Sequence, residues 1–148
     1  MARPRTVKPR TAVETALQAL RARDRSVAEL ESRLQRHGIA DSERREALEL
    51  LSRLGYVDDE RFATLRAAAL AARNCGDEMI RADLEQRGVA GSMIDAAIAE
   101  LEPEQERAER IVASRGRSSK TARFLAARGF AEEAIEAVVA SEDGEGVG

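Results

Sequence analysis

The sequence predicts an all-α fold of tandem three-helix repeats, about nine helices forming an elongated, curved modular array. Three observations predict it: a turn motif that recurs three times, helix-start signals ahead of each copy, and apolar residues at helical rather than strand spacing. The motif is Leu-x-x-(Arg/His)-Gly-apolar, at Leu34 to Ile39, Leu84 to Val89 and Leu125 to Phe130. Its glycines, Gly38, Gly88 and Gly129, are 50 and 41 residues apart. Such a glycine reads as the residue that ends a helix in the left-handed region, where a side chain would be strained. Apolar residues then follow at helical intervals. They are Ile94, Ala97, Ile98 and Leu101 after Gly88, and Ile135, Val138 and Val139 after Gly129, where Glu142 ends the pattern. After Gly38 they are Ala47, Leu48 and Leu51, but Arg44 interrupts the frame. Short helical units stacked in a line form an extended concave surface, hence the expected curvature.

Each motif is preceded by a further helix. Thr11 and Glu14 form a capping box that opens a helix with Val13, Ala16, Leu17 and Leu20 on one face. Ser26 and Glu29 form a second box leading into Leu30 and Leu34. Asp58 is placed to cap the next helix, with Val57 at N′ and Phe62 at N4 spaced for a hydrophobic staple. Pro103 suits the first position of a helix carrying Ala108, Ile111 and Val112. After the glycine turns, acidic pairs mark two helix starts, Asp41 with Glu43 and Glu132 with Glu133, while Ser92 and Asp95 stand after Gly88. The expected organisation is a basic disordered arm at 1–10, repeats at 11–57, 58–101 and 102–140, and a disordered acidic tail at 141–148. Tyr56, Val57, Asp58 and Phe62 are the candidate joint between the first two repeats.

Composition narrows the function. Hydrophobic residues make up 43% of the 148, enough for a core, but with three Phe, one Tyr and no Trp that core must be aliphatic. The net charge of −3 is uneven: residues 1–25 carry seven basic and two acidic groups, net +5, and the rest is acidic. A simple DNA-binding protein is usually basic throughout, and this chain is not. Of its 24 basic residues 22 are arginine, which favours bidentate contacts to carboxylate or phosphate. One cysteine excludes an internal disulfide and fits a reducing compartment. With no apolar run of membrane-spanning length and no signal-like N-terminus, a cytoplasmic protein is expected.

No catalytic, cofactor or metal site is legible. His37 is the sole histidine, without a second ligand near it, and suits the end of a helix. Cys75, between Asn74 and Gly76, falls in an interhelix turn with no activating base in view. The stretch Gly116 to Thr121 has a superficial likeness to a phosphate loop, but Ser114 and Ser119 stand where glycines are needed and no strand precedes it. The sequence gives no reason to expect an enzyme. What stands out instead is a basic run: Arg115, Arg117, Lys120, Arg123 and Arg128, with no acidic residue between Glu109 and Glu132. These five are the candidate partner or DNA contacts, and their spacing predicts Arg117, Lys120 and Arg123 near one side of a helix. Residue chemistry alone reaches a helical repeat protein for an elongated, partly anionic partner.

The segment LGYVDDERFA, Leu54 to Ala63, closely resembles the signature of RecX regulatory proteins. SVAELESRL, Ser26 to Leu34, RADLEQRGV, Arg81 to Val89, and RFLAARGF, Arg123 to Phe130, resemble the matching family segments in the same order. The resemblance covers about residues 12–140. The sequence departs from the pattern at Arg44, where an apolar residue is expected, and at Ala40, Ala90 and Ala131, where Asp or Ser usually caps. The resemblance implies a monomeric, non-catalytic regulator that lies in the groove of RecA filaments on single-stranded DNA. It implies damping of RecA's ATPase, strand-exchange and coprotease activities in DNA repair and the SOS response, with DNA touched indirectly or weakly. The alternative is a helix-turn-helix DNA-binding protein without RecA dependence, against which the acidic body counts.

Overall fold

A computed structural model describes residues 10–140, so all but the last residue of the 1–10 arm and the whole tail at 141–148 lie outside the described residues. Among the described residues there are nine α-helices and no strand. The chain divides into two compact units, Met1–Asp58 and Asp59–Gly148.

The first unit holds α1 (Ala12–Ala22), α2 (Val27–Arg36) and α3 (Asp41–Arg53), each packed on the other two. Both expected capping boxes form: Thr11 Oγ1 accepts from Glu14 N at 3.2 Å, and Ser26 Oγ accepts from Glu29 N at 3.1 Å. Ala16, Leu30, Leu34, Leu51 and Val57 lie at the centre of an aliphatic core. Arg44 does not break α3. Its half-buried guanidinium donates to Glu31 at 2.8 Å, to Asp41 at 3.3 Å and to the Ile39 carbonyl at 2.6 Å, so its charge is met on three sides.

The recurring motif is a Schellman turn. Gly38 N donates to Gln35 O and Ile39 N to Leu34 O, with Gly38 at φ +76°. The pattern repeats at Gly88 (Val89 N to Leu84 O) and at Gly129 (Phe130 N to Leu125 O). In each turn the leucine and the residue after the glycine join one core, which is why both are apolar.

The second unit holds α4 (Asp59–Ala72), α5 (Asp77–Gln86), α6 (Gly91–Ala99), α7 (Glu104–Arg115), α8 (Ser119–Ala127) and α9 (Glu132–Ala140). It contains two cores. Phe62, Leu70, Ile80, Leu84 and Ile94 fill one within α4–α6. Ile111, Val112, Leu125, Phe130 and Val138 fill the other within α7–α9. Pro103 is the N-cap of α7 and not its first helical residue, one position earlier than its fixed φ predicts.

Backbone contacts join the two triplets of this unit. Gly76, the N-cap of α5, donates its N–H to Arg128 O at 2.7 Å, and Glu78 N donates to Gly129 O at 3.2 Å. The open N–H groups of one helix are thus met by the carbonyls that end another. Glycine is required on both sides of this contact. A Cβ on Gly76 would come within 2.4 Å of the Gly129 backbone, and one on Gly129 within 2.6 Å of Met79.

Candidate partner-binding surface

Four of the five candidate contact residues gather where α7 turns into α8. Arg115 ends α7, and Gly116 at φ +92° reverses the chain. Ser118 then caps α8, its Oγ accepting from Thr121 N at 3.2 Å. Arg117 therefore sits in the turn, and not on the helix with Lys120 and Arg123 as its spacing predicted. The glycine and the serine cap consume the residues that would have continued the helix. Lys120 and Arg123, three apart on α8, do share a side. The Arg115 guanidinium stacks on the Phe124 ring with Cζ 3.5 Å from the centroid.

Arg117, Lys120 and Arg123 are exposed and have no hydrogen bond or ion pair among the described residues. Arg115 has no carboxylate partner there either. Several other arginines of the unit are matched, Arg73 being an exposed exception. Arg66 and Arg87 both bond Asp83 at 2.9 Å, and Arg66 above all holds that carboxyl below its usual range. Arg81 bonds Asp95 at 2.7 Å and Arg110 bonds Glu102 at 2.6 Å. The α7–α8 turn is thus a local excess of unpaired cations.

Arg128, the fifth candidate, is engaged within the fold. It caps the end of α8 and its guanidinium donates to the carbonyls of Arg73 and Asn74, with Cys75 Sγ at 3.5 Å. The candidate joint residues differ in burial. Tyr56 is 55% exposed, Val57 lies in the core of the first unit, and Phe62 lies in the α4–α6 core. Asp58 directly precedes α4.

Two groupings escape sequence reasoning. The first surrounds Arg107, which is 8% exposed and donates to Cys75 O at 3.0 Å, to Glu102 O at 2.9 Å and to the Asp77 carboxylate. Beside it Glu104 accepts from Ala131 N, and its pKa is raised by burial and by the nearby Asp77 carboxyl. The second lies in the first unit. Arg25 donates to Ala19 O at 3.1 Å, and its pKa is lowered by burial and by the neighbouring charges of Arg23, Arg33 and Arg36. The signal for it was the i, i+3 spacing of Arg33 and Arg36 on α2.

His37 is exposed at the C-cap of α2 and Cys75 is buried. No group of three or more His, Cys, Asp or Glu among the described residues could hold a metal ion. No helix of the described residues is long and apolar enough to cross a membrane.

Helix triplets closed by glycine turns define the class: an all-α repeat protein with an unpaired basic surface. Residues 58–98 match the family model described as the second three-helix domain of RecX. The chain is 31% identical over 140 residues to the regulatory protein RecX of Halorhodospira halophila, covering 88% of this chain and 87% of that one. It is 37% identical over 112 residues to the regulatory protein RecX of Mycolicibacterium smegmatis, covering 70% of this chain but 59% of that one. A crystal structure of RecX from Lactobacillus salivarius shares the fold, with a TM-score of 0.76 over 89% of this chain and 94% of the other at 19% identity. The chain belongs to the RecX family of regulatory proteins.

Proposed function

We propose that this protein binds RecA filaments on single-stranded DNA and restrains RecA's ATPase, recombinase and coprotease activities, without catalysing a reaction of its own. It does so as a cytoplasmic monomer built from repeats at 11–57, 58–101 and 102–140, with Tyr56, Val57, Asp58 and Phe62 at the first joint. Family membership supports the partner. The unpaired cluster of Arg115, Arg117, Lys120 and Arg123 is the observation that supports the contact surface, since it leaves guanidinium and ammonium groups available to phosphates or carboxylates. Arg128 contributes by holding the α8 end, not by touching the partner. The test is RecA's ATPase rate on single-stranded DNA as this protein is added. A rate that falls with concentration is expected. An unchanged rate, with the protein bound to duplex DNA alone, would favour an independent DNA-binding role.

A further inference from the structure

We propose that a notch between α4 and α7 seats one unpaired base of a single DNA strand, with Arg115 as its stacking platform and Arg117, Lys120 and Arg123 on the flanking phosphates. This rests on the filament reading above and deepens it, making contact with the strand direct and base-dependent. The notch has a volume of about 360 Å³ and is lined in part by Ala68, Ala72, Leu101, Ile111, Ser114 and Arg115. Four of these are apolar, and the two alanines leave room that a larger side chain would fill. That apolar part suits the flat face of an aromatic ring, while the polar lining includes Arg107, whose guanidinium is already bonded to Asp77. Arg110, also on its wall, is neutralised by Glu102.

Arg115 supplies the platform. Phe124, half-buried against the α7–α9 core, holds the guanidinium plane at stacking distance, so its orientation is set before any ligand arrives. An arginine held flat and without a carboxylate partner can stack on a second π system, and every base has a π face. The phosphate contacts lie next in the chain. Arg117 is two residues on, and Lys120 and Arg123 belong to α8, the helix that carries Phe124. A duplex keeps its bases paired and presents only backbone here, and residues 58–101, net −4, disfavour its broad approach. The geometry therefore fits a single strand better than a duplex or an acidic protein segment.

The experiment measures binding of the full chain to a labelled oligothymidylate at low salt, with RecA absent. The comparison ligands are an abasic oligomer of equal length, the matching duplex, and polyglutamate as competitor. Oligothymidylate is expected to bind about tenfold or more tightly than the abasic strand, which has the same phosphates and no base. Arg115→Lys keeps the charge and loses the plane, and should bring the two affinities together. Ala68→Leu fills the notch from an exposed helical position at little cost in helix propensity, and should do the same. Equal affinity for thymidylate and abasic strands, or undiminished base preference in both variants, overturns the proposal. So does preference for the duplex, or competition by polyglutamate as effective as by unlabelled thymidylate. Since RecA is absent, none of these outcomes touches the filament reading, which the ATPase titration decides separately.

Discussion

Arg44 and Arg107 each occupy a position that the helical frame reserves for an apolar side chain, and each is accommodated by satisfying its donors. Arg107 lies four residues before buried Ile111, on the inward side of α7, and bonds two carbonyls and a carboxylate. The sequence around it, Glu104-Gln-Glu-Arg-Ala-Glu-Arg110, reads as a solvated face, because its partners Cys75 and Asp77 lie about thirty residues away in the chain. Arg107→Ala should destabilise the protein by about 3 kcal/mol in urea unfolding, near the low end for a broken buried pair because Asp77 is a third exposed. Glu104 makes the opposite contribution. Its folded pKa is raised, so the folded state favours the protonated form, and the stability it contributes is present at low pH and lost as pH rises through its folded pKa. Glu104→Gln keeps an acceptor for Ala131 N and removes the charge facing Asp77. Unfolding curves should show the variant more stable than the parent at neutral pH. The gap should close below the usual carboxylate range, where Glu104 is protonated in both states.

At the scale of elements, most boundaries were legible because they depend on neighbours in sequence. Capping boxes span four residues and Schellman turns six, and both formed where the residue types placed them. One turn escaped because an asparagine replaces the glycine: Leu70-Ala-Ala-Arg-Asn74-Cys75 carries the same bonds, Asn74 N to Ala71 O and Cys75 N to Leu70 O, with Asn74 at φ 64°. Asparagine tolerates that region better than other side-chain-bearing residues, so the motif was wider than its glycine form. The meeting of α5 with the α8–α9 turn was not legible at all, since the two segments lie about fifty residues apart. Gly76 and Gly91 test that contact as a pair, because both stand at helix starts with negative φ or no positive φ. Gly91→Ala meets nothing within 4 Å and should stabilise α6 by about 0.5–1 kcal/mol. Gly76→Ala drives a methyl into the Gly129 backbone and should cost about 1–3 kcal/mol. Equal effects in thermal unfolding would show that the α5 contact carries no close packing.

For the molecule as a whole, the decisive quantity is where its charge is left unpaired. A net charge of −3 gains little from approaching DNA broadside, so anion contact must come from local clusters where arginines outnumber carboxylates. The cluster at the α7–α8 turn was legible as composition, an acid-free run. Its geometry was not, because the Gly116 turn takes Arg117 off the helix and Arg128 is tied to the carbonyls of Arg73 and Asn74. Reversing Arg117, Lys120 and Arg123 to Glu together should leave the helices folded, since exposed surface substitutions cost under about 0.5 kcal/mol each. Inhibition of RecA's ATPase should nevertheless weaken by about tenfold or more, as three charge-assisted contacts become repulsive. The check is an inhibition titration of the triple variant at two salt concentrations, with circular dichroism as the folding control. If the cluster meets phosphates, the parent should lose potency as salt rises, and the variant should lose less because fewer counterions are released. A folded variant that inhibits as well as the parent would assign binding elsewhere. The Arg23, Arg25, Arg33 and Arg36 grouping of the first unit is then the next surface to reverse.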